Sequence, residues 1–274
     1  RTTPANPPER KAPRVSGNCE THSKEIMTET ELKPFWKRLF KFDWKFGLFL
    51  IALICIPRFI LVLQANQTGN YGPIGAVMFV SALIPFIFLN KYGRKKIGIE
   101  GTKKIGRLIL SLILGIAFSL LLFIIGKELY GGSYHNWYEY IGKSYNIPKG
   151  ISGNDKFIMF TIMASTGMIF SPIGEELFFR GIVHGSFAKS IGDKKASVVD
   201  SLAFATTHIA HFGLVFNSGV WHFYPIPTII WVSSMFLVSV LFFRTKKLTG
   251  SLIGAIFCHA GFNLGMIYSI FYLL

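Results

Sequence analysis

Two adjacent glutamates lie within one of the most apolar stretches of this chain, and an arginine follows them. Glu175 and Glu176 precede Arg180 in the run 168–181, whose other residues are mostly apolar or small. A charged side chain at the centre of a bilayer costs about 2.5–3.5 kcal/mol on insertion scales. Two neighbouring carboxylates also repel each other. A lipid-facing helix has little structural reason to carry this cluster, so we interpret it as a functional site.

Two later apolar stretches each carry a pair of residues that are four positions apart. Phe204 and His208 form the first pair, and His259 and Asn263 form the second. Residues four apart lie on one face of a helix. Each stretch therefore presents its pair on one side.

The two adjacent glutamates are expected to point to different sides of their helix. Glu176 and Arg180 are four apart, so they share a helix face and can form an ion pair. Glu175 points about 100° away from that face. Its carboxylate is therefore available for a role other than the ion pair with Arg180.

The three stretches place their polar groups at a common depth. His208 is twelve residues after Ala196 and His259 is eleven after Leu248, where their predicted spans begin. Glu175 is twelve residues before Phe187, where we expect the helix of the fourth span to end. These separations correspond to about 16–18 Å at ~1.5 Å per residue. Scattered structural residues would not share a depth, so we expect three helices to bring these groups together.

Carboxylate, imidazole and amide groups at one depth are suited to hydrolysis. A carboxylate beside an imidazole can hold a water molecule and remove its proton. A second imidazole and an amide can donate hydrogen bonds to a developing oxyanion. Ser171 is one turn from Glu175, and we interpret it as a helix hydroxyl rather than as a nucleophile.

The three motifs together resemble a known family. Glu-Glu-x-x-x-Arg, Phe-x-x-x-His and His-x-x-x-Asn occur in this order within about residues 157–272. This combination resembles the CAAX protease and bacteriocin-processing family, also called the Abi family. The resemblance implies a membrane-embedded, glutamate-dependent endopeptidase whose substrate is a membrane-associated peptide or protein.

The resemblance also implies a role for each motif residue. Glu175 would be the general base, and His208 would help to activate the water. His259 and Asn263 would stabilise the oxyanion. The residues that orient and support the site would be Glu176, Arg180 and Phe204.

The biological role of such an enzyme differs between organisms. Eukaryotic members of the family cleave prenylated CAAX tails, whereas many bacterial members are tied to bacteriocin immunity, peptide-signal maturation or membrane regulation. The Phe-, Ile- and Lys-rich composition of this chain is typical of a bacterial protein. We therefore expect bacterial peptide processing, immunity or regulation rather than a CAAX substrate.

The composition predicts an all-α fold, a polytopic transmembrane helical bundle. Of the 274 residues, 51% are hydrophobic and 16% are charged, whereas a soluble domain has about 25% charged residues. We expect about seven spans, with the catalytic motifs on three late helices. The predicted spans are 46–63, 73–89, 105–126, 157–179, 196–216, 223–243 and 248–272.

The chain divides into three parts. Residues 1–31 are polar and are expected to be disordered. Residues 32–45 alternate basic and aromatic side chains and should lie at the membrane surface. Residues 46–274 form the membrane domain, with the protease-like core at about 157–272. Met27 begins a sequence typical of a start, so we interpret residues 1–26 as an added leader.

The basic residues predict the orientation of the bundle. The net charge of +15 could indicate a nucleic-acid partner, but the lysines and arginines cluster beside the predicted spans, as the positive-inside rule requires. We therefore expect contact with the lipid bilayer, no nucleic-acid partner, and a multi-pass protein of the cell membrane. The lysine-rich connections should be cytoplasmic, and the site should open toward the cytoplasm or sideways to lipid.

Three alternative functions remain open at this stage. Glutamate and histidines could bind zinc, but no His-Glu-x-x-His motif is present, so we expect no metal and no other cofactor. A membrane scaffold or bacteriocin-immunity factor could bind a peptide or a sensor protein without cutting it. Intramembrane carboxylates also suit a proton-coupled transporter, although no internal repeat is visible.

Overall fold

A computed structural model describes residues 30–274 and shows a helical bundle, which confirms the predicted fold class. The predicted disorder of the tail concerns mainly residues 1–29, which lie outside the described part. The helices are, in chain order, α1 Trp44–Thr68, α2 Gly72–Phe88, α3 Lys91–Lys96, α4 Ile105–Tyr130, α5 Trp137–Lys143, α6 Gly153–Glu175, α7 His184–Ile191, α8 Asp193–Thr207, α9 Pro225–Thr249 and α10 Leu252–Tyr272.

Five of the described helices are long and apolar enough to cross a membrane. These are α1, α4, α9, α10 and a continuous helix of 39 residues, Gly153–Ile191, which contains α6 and α7. Helix α2 is apolar but shorter, and α8 has 15 residues. The predicted count of about seven spans is therefore not confirmed.

The predicted span 196–216 is wrong as a continuous helix. Helix α8 ends at Thr207, turns follow, and the strands β1 Leu214–Asn217 and β2 Val220–Phe223 form an antiparallel hairpin. Ser218 and Gly219 connect the strands, and both have positive φ angles, 50° and 81°. Such a two-residue turn matches the twist of paired strands. The chain thus reverses near the end of the fifth predicted span and does not continue as a helix.

The helix that carries the two glutamates changes its winding at the motif. Residues Glu176–Val183 form a π-helical segment between α6 and α7. Pro172, four residues before Glu176, lies inside α6 and has no N–H for the α-helical ladder. Short π segments often occur at functional sites, because the extra residue per turn changes the direction of the side chains.

Helix α10 packs closely on α4, which fixes the position of its polar residues. A Cβ atom at Gly115 would collide with the carbonyl oxygen of Cys258, and one at Gly261 would collide with that of Leu112. Glycines at both positions let the two backbones approach, as in other membrane helix pairs. His259 lies between these contacts and has little freedom to move along the helix axis.

Glu31, which the sequence places in the polar tail, is buried in the structure. Its carboxylate accepts hydrogen bonds from Lys96 at 2.7 Å and from Lys189 at 2.9 Å. Burial alone would raise the pKa of Glu31, but these two hydrogen bonds outweigh it and hold the pKa below its ordinary value. The start of the described chain is thereby attached to α3 and α7.

Candidate active site

Glu175 is held by two side chains and keeps one oxygen unengaged. Its Oε1 accepts hydrogen bonds from Arg58 of α1 at 2.9 Å and from Ser171 at 2.6 Å. Its Oε2 is buried, and no protein donor within residues 30–274 bonds to it. The arginine compensates the carboxylate charge, and the second oxygen remains able to accept a proton.

The sequence analysis did not include Arg58 and Ser171 in the site. Arg58 interrupts an apolar run directly after Pro57, and this interruption was the available signal for a buried polar contact. Ser171 donates its hydroxyl hydrogen to Glu175. The hydroxyl thus orients the glutamate, a role that the interpretation of Ser171 as a helix hydroxyl did not include.

Glu176 faces a different set of partners from its neighbour. Its Oε1 lies 2.8 Å from Nδ1 of His259, and its Oε2 lies 3.2 Å from Nε of Arg180. The predicted ion pair between Glu176 and Arg180 is thus confirmed. The repulsion between the adjacent carboxylates is relieved because each has its own cationic partner: Arg58 for Glu175 and Arg180 for Glu176.

Arg180 is fully buried and lies between aromatic rings. Its guanidinium carbon is 4.4 Å from the ring centre of Phe204 and 5.1 Å from that of Phe242. Its Nη2 donates to the hydroxyl of Ser239 at 2.6 Å. Cation–π contacts of this kind stabilise a desolvated guanidinium. Arg180 therefore connects the Glu176 carboxylate to the helix that bears Phe204.

His208 lies directly after α8, at its C-terminal cap, rather than in mid-helix as predicted. Its Nδ1 is 2.7 Å from the carbonyl oxygen of Phe204. A carbonyl can only accept, so Nδ1 carries the hydrogen, and Nε2 of the neutral ring has a free lone pair. The indole N–H of Trp231 donates to the His208 carbonyl at 3.0 Å. The ring is thus oriented with an available basic nitrogen.

Helix α10 places His259 and Asn263 on one face, as their spacing predicts. The His259 ring stacks on Phe242, with a centroid distance of 4.6 Å and an interplanar angle of 12°. Because Nδ1 faces Glu176, Nε2 is the remaining ring nitrogen. The Asn263 amide donates one hydrogen to the carbonyl of Gly167 at 2.9 Å and keeps a second hydrogen.

A cavity of about 540 Å³ brings the predicted catalytic residues together. Glu175, His208, His259 and Asn263 all line it, whereas Glu176 and Arg180 do not. The prediction that three stretches bring their polar groups to one place is therefore confirmed. The difference between the glutamates also agrees with the predicted division between a reacting carboxylate and a supporting one.

His211 is a further cavity residue, which the sequence analysis did not include in the site. Its ring centre lies 5.3 Å from that of His208, and its Nε2 is buried with no bonding partner among residues 30–274. The His-x-x-His spacing was visible in the sequence. It was not informative alone, because the observed helix α8 ends at Thr207, inside the predicted span 196–216, and the turn that follows decides where His211 points.

The described residues offer no set of side chains with metal-ligand geometry. Within residues 30–274, no three His, Cys, Asp or Glu side chains come close enough to hold an ion together. Two of the imidazole nitrogens are engaged, by Glu176 and by the carbonyl of Phe204. The expectation of a reaction without metal stays a prediction.

One comparison with known proteins identifies a relationship. Residues 157–265 match the sequence model of a family described as Rce1-like, type II CAAX prenyl endopeptidase Rce1-like. The matched segment contains all three motifs, which confirms the resemblance inferred from them. No curated protein and no solved structure matches the chain significantly.

Proposed function

We propose, from the premise that residues 157–265 of this chain belong to the Rce1-like family of type II CAAX prenyl endopeptidases, that the protein is an intramembrane endopeptidase. The observation that carries the proposal is the state of Glu175. One of its oxygens is fixed by Arg58 and Ser171, while the other is buried at the cavity without a protein donor among the described residues. A carboxylate held in this way is suited to deprotonate water.

The reaction begins with a water molecule between Glu175 and His208. Glu175, assisted by Nε2 of His208, removes a proton, and the hydroxide adds to the carbonyl carbon of the peptide bond. His259, as an imidazolium whose Nδ1–H donates to Glu176, donates its Nε2–H to the oxyanion. The second amide hydrogen of Asn263 is the other donor. The C–N bond then breaks, the stored proton passes to the departing amine, and the new carboxylate keeps the oxygen of the water.

Four further residues position these reacting groups, as Ser171 does for Glu175. Arg58 compensates and orients Glu175, and Glu176 orients His259. Arg180 holds Glu176 at 3.2 Å and stacks on Phe204. Phe204 in turn accepts the Nδ1–H of His208 through its carbonyl. Fixing several partners of one reaction in this way reduces the entropy lost on reaching the transition state.

The substrate class follows from the setting of the site. A peptide bond that reaches a cavity between span-length helices belongs to a membrane-associated peptide or protein. We place the enzyme in the cell membrane, in bacterial peptide processing, immunity or regulation. Nucleic acid has no role in this proposal.

The direct test is detection of new peptide ends without added metal. The protein in lipid nanodiscs, incubated with a mixture of synthetic membrane-associated peptides, is expected to produce new amino and carboxyl termini by mass spectrometry. Exhaustive chelation should leave the cleavage rate unchanged, because the described side chains supply base and oxyanion donors. Metal analysis of the pure protein should find much less than one zinc per chain.

Two results would contradict this proposal. A stoichiometric ion whose removal abolishes cleavage would show that the attacking water is activated by a metal rather than by Glu175 alone. Tight peptide binding with no new termini, in nanodiscs and in cells, would instead support the non-proteolytic scaffold.

A further inference from the structure

The cavity extends from Glu175 toward one end of the bundle. Along α6 its lining residues run from Glu175 back to Met163, toward the start of the helix. Along α10 they run from His259 forward to Ile267, toward the end of the helix. Tyr71 and residues of the connection after α5 also line it. The cavity therefore opens at the end where the α1–α2, α5–α6 and β1–β2 connections lie.

Four basic segments meet at the opposite end of the bundle. A separate cavity of about 410 Å³ there is lined by Lys96, Lys189 and Lys247, from α3, α7 and α9. Lys96 and Lys189 share the carboxylate of Glu31, so these segments are in direct contact. The basic residues of this end are Lys33, Lys37, Arg38, Lys41, Lys45, Lys91, Arg94, Lys95, Lys96, Lys103, Lys104, Arg107, Lys189, Lys194, Lys195, Arg244, Lys246 and Lys247.

The end where the active-site cavity opens has far fewer basic residues. The connections 69–71 and 208–224 contain no lysine or arginine, and the connection 131–152 contains two lysines. Because cytoplasmic loops carry the excess of lysine and arginine, the cavity opens on the non-cytoplasmic side. The sequence-based expectation of an opening toward the cytoplasm is therefore not supported by the lining residues.

The cavity also has an opening in its side, between α2 and α6. The two helices touch near the glutamates, where a Cβ at Gly174 would lie 2.5 Å from the carbonyl oxygen of Met78. One turn away, a Cβ at Gly75 would meet nothing within 4 Å, and Gly75 lines the cavity, which leaves room for a cleft between the two helices. Phe170 lines the cavity here and is 59% exposed. A segment lying in the outer leaflet can pass through this cleft.

The lining favours an internal apolar segment over a chain end. Among its described residues, the Lys, Arg, Asp and Glu side chains are Arg58 and Glu175, which are paired with each other, and His259 is bonded to Glu176. The described lining therefore has no unpaired cationic side chain that could bind the carboxylate of a C-terminus. Four methionines contribute to the walls: Met78, Met163, Met235 and Met266. Methionine adapts to varied apolar shapes, so the walls can accept different side chains beside the cleaved bond.

We propose that the substrate is a peptide segment that has already been delivered to the non-cytoplasmic side, where its apolar internal part enters between α2 and α6. This inference rests on the proposed endopeptidase, and it commits that enzyme to exported or membrane-inserted peptides. The reaction that supplies the substrate is thus translocation across the membrane or insertion into it. The hydrolysed bond belongs to the outer half of the membrane.

Cysteine labelling in intact cells tests the side of access without using proteolysis. In a background with Cys19, Cys55 and Cys258 replaced by alanine, single cysteines at Asn70 and Ser144 should react with a membrane-impermeant thiol reagent. Single cysteines at the two positions Lys95 and Lys194 should react only after the cells are permeabilised. The reverse pattern would overturn the outward-facing cavity, and cleavage of membrane peptides by the same protein would then still support the peptidase.

Narrowing the cleft tests the route. Gly75→Phe should lower kcat/KM for membrane peptides about tenfold with kcat little changed, because access is hindered and the reacting groups are not. Gly106→Phe is the matched control, since Gly106 also lies in a helix with nothing within 4 Å of an added Cβ. Equal kcat/KM in both variants would overturn entry between α2 and α6. Outward labelling without any cleavage by the unaltered protein would overturn the peptidase, and the substrate class with it.

Discussion

Glu175→Gln is expected to reduce peptide cleavage about 10²–10⁴-fold, the usual loss when a general base is removed. The amide has nearly the shape of the carboxylate, and its oxygen can still accept from Arg58 and Ser171, so the bundle should remain folded. It cannot take a proton from water. Initial rates of new-terminus formation in nanodiscs, compared at equal amounts of folded protein, measure the effect.

The matched control changes a glutamate that is remote from the cavity. Glu128 lies exposed near the end of α4, and Glu128→Gln should retain full activity. If purified Glu175→Gln turned over peptides at the rate of this control, Glu175 could not be the base. Retained function of Glu175→Gln in cells, together with lost cleavage, would indicate a binding role instead.

Arg58→Met is the second change with a large expected effect. It leaves the buried carboxylate of Glu175 without its cation, and removing one partner of a buried ion pair typically destabilises a protein by about 3–5 kcal/mol. Cleavage should fall about 100-fold or more, because a misplaced catalytic group loses that much rate. Unfolding midpoints and cleavage rates of the same preparations measure both effects. Arg38→Met, at an exposed position, is the control.

A double variant separates stability from chemistry. Arg58→Met combined with Glu175→Gln removes both charges, so it should be more stable than Arg58→Met alone but remain inactive. Two neighbouring sites that interact give such non-additive free energies of unfolding. Additive effects on stability would show that the 2.9 Å contact between Arg58 and Glu175 contributes little. Recovery of activity in the double variant would exclude Glu175 as the base.

Much of the site could be predicted from local spacing. The four-residue interval between Glu176 and Arg180 survives in the π-helical segment, and the pair forms at 3.2 Å. The interval between His259 and Asn263 places both on the cavity face of α10. Such predictions succeed because residues on one turn keep their mutual direction whatever the helix packs against.

Contacts between distant segments could not be predicted in the same way. Arg58 is 117 residues from Glu175, and only the packing of α1 against the π-helical segment and α7 of the continuous helix Gly153–Ile191 decides that they meet. His208 was placed in mid-helix because the run around it is apolar, whereas the chain turns after Thr207. The π-helical segment was also invisible, since its sequence differs little from that of an ordinary apolar helix.

The side on which the cavity opens follows only from the sequence and the structure together. The lysine-rich segments indicate which end of the bundle is cytoplasmic. Which end the active site faces depends on which turns of α2, α6 and α10 line the cavity, and those turns lie on the opposite side. A common depth for the polar groups was therefore predictable, but the side of access was not.

The central claim is that water activated by Glu175 attacks the peptide bond directly. A single-turnover reaction in water enriched in oxygen-18, with a cleaved peptide from the synthetic mixture and excess protein in nanodiscs, tests it by mass spectrometry. One labelled oxygen should appear in the new carboxyl terminus, while the protein, quenched during turnover, should carry neither an acyl group nor label. An acyl adduct on Ser171 or Glu175, or label in the Glu175 carboxylate, would contradict the account.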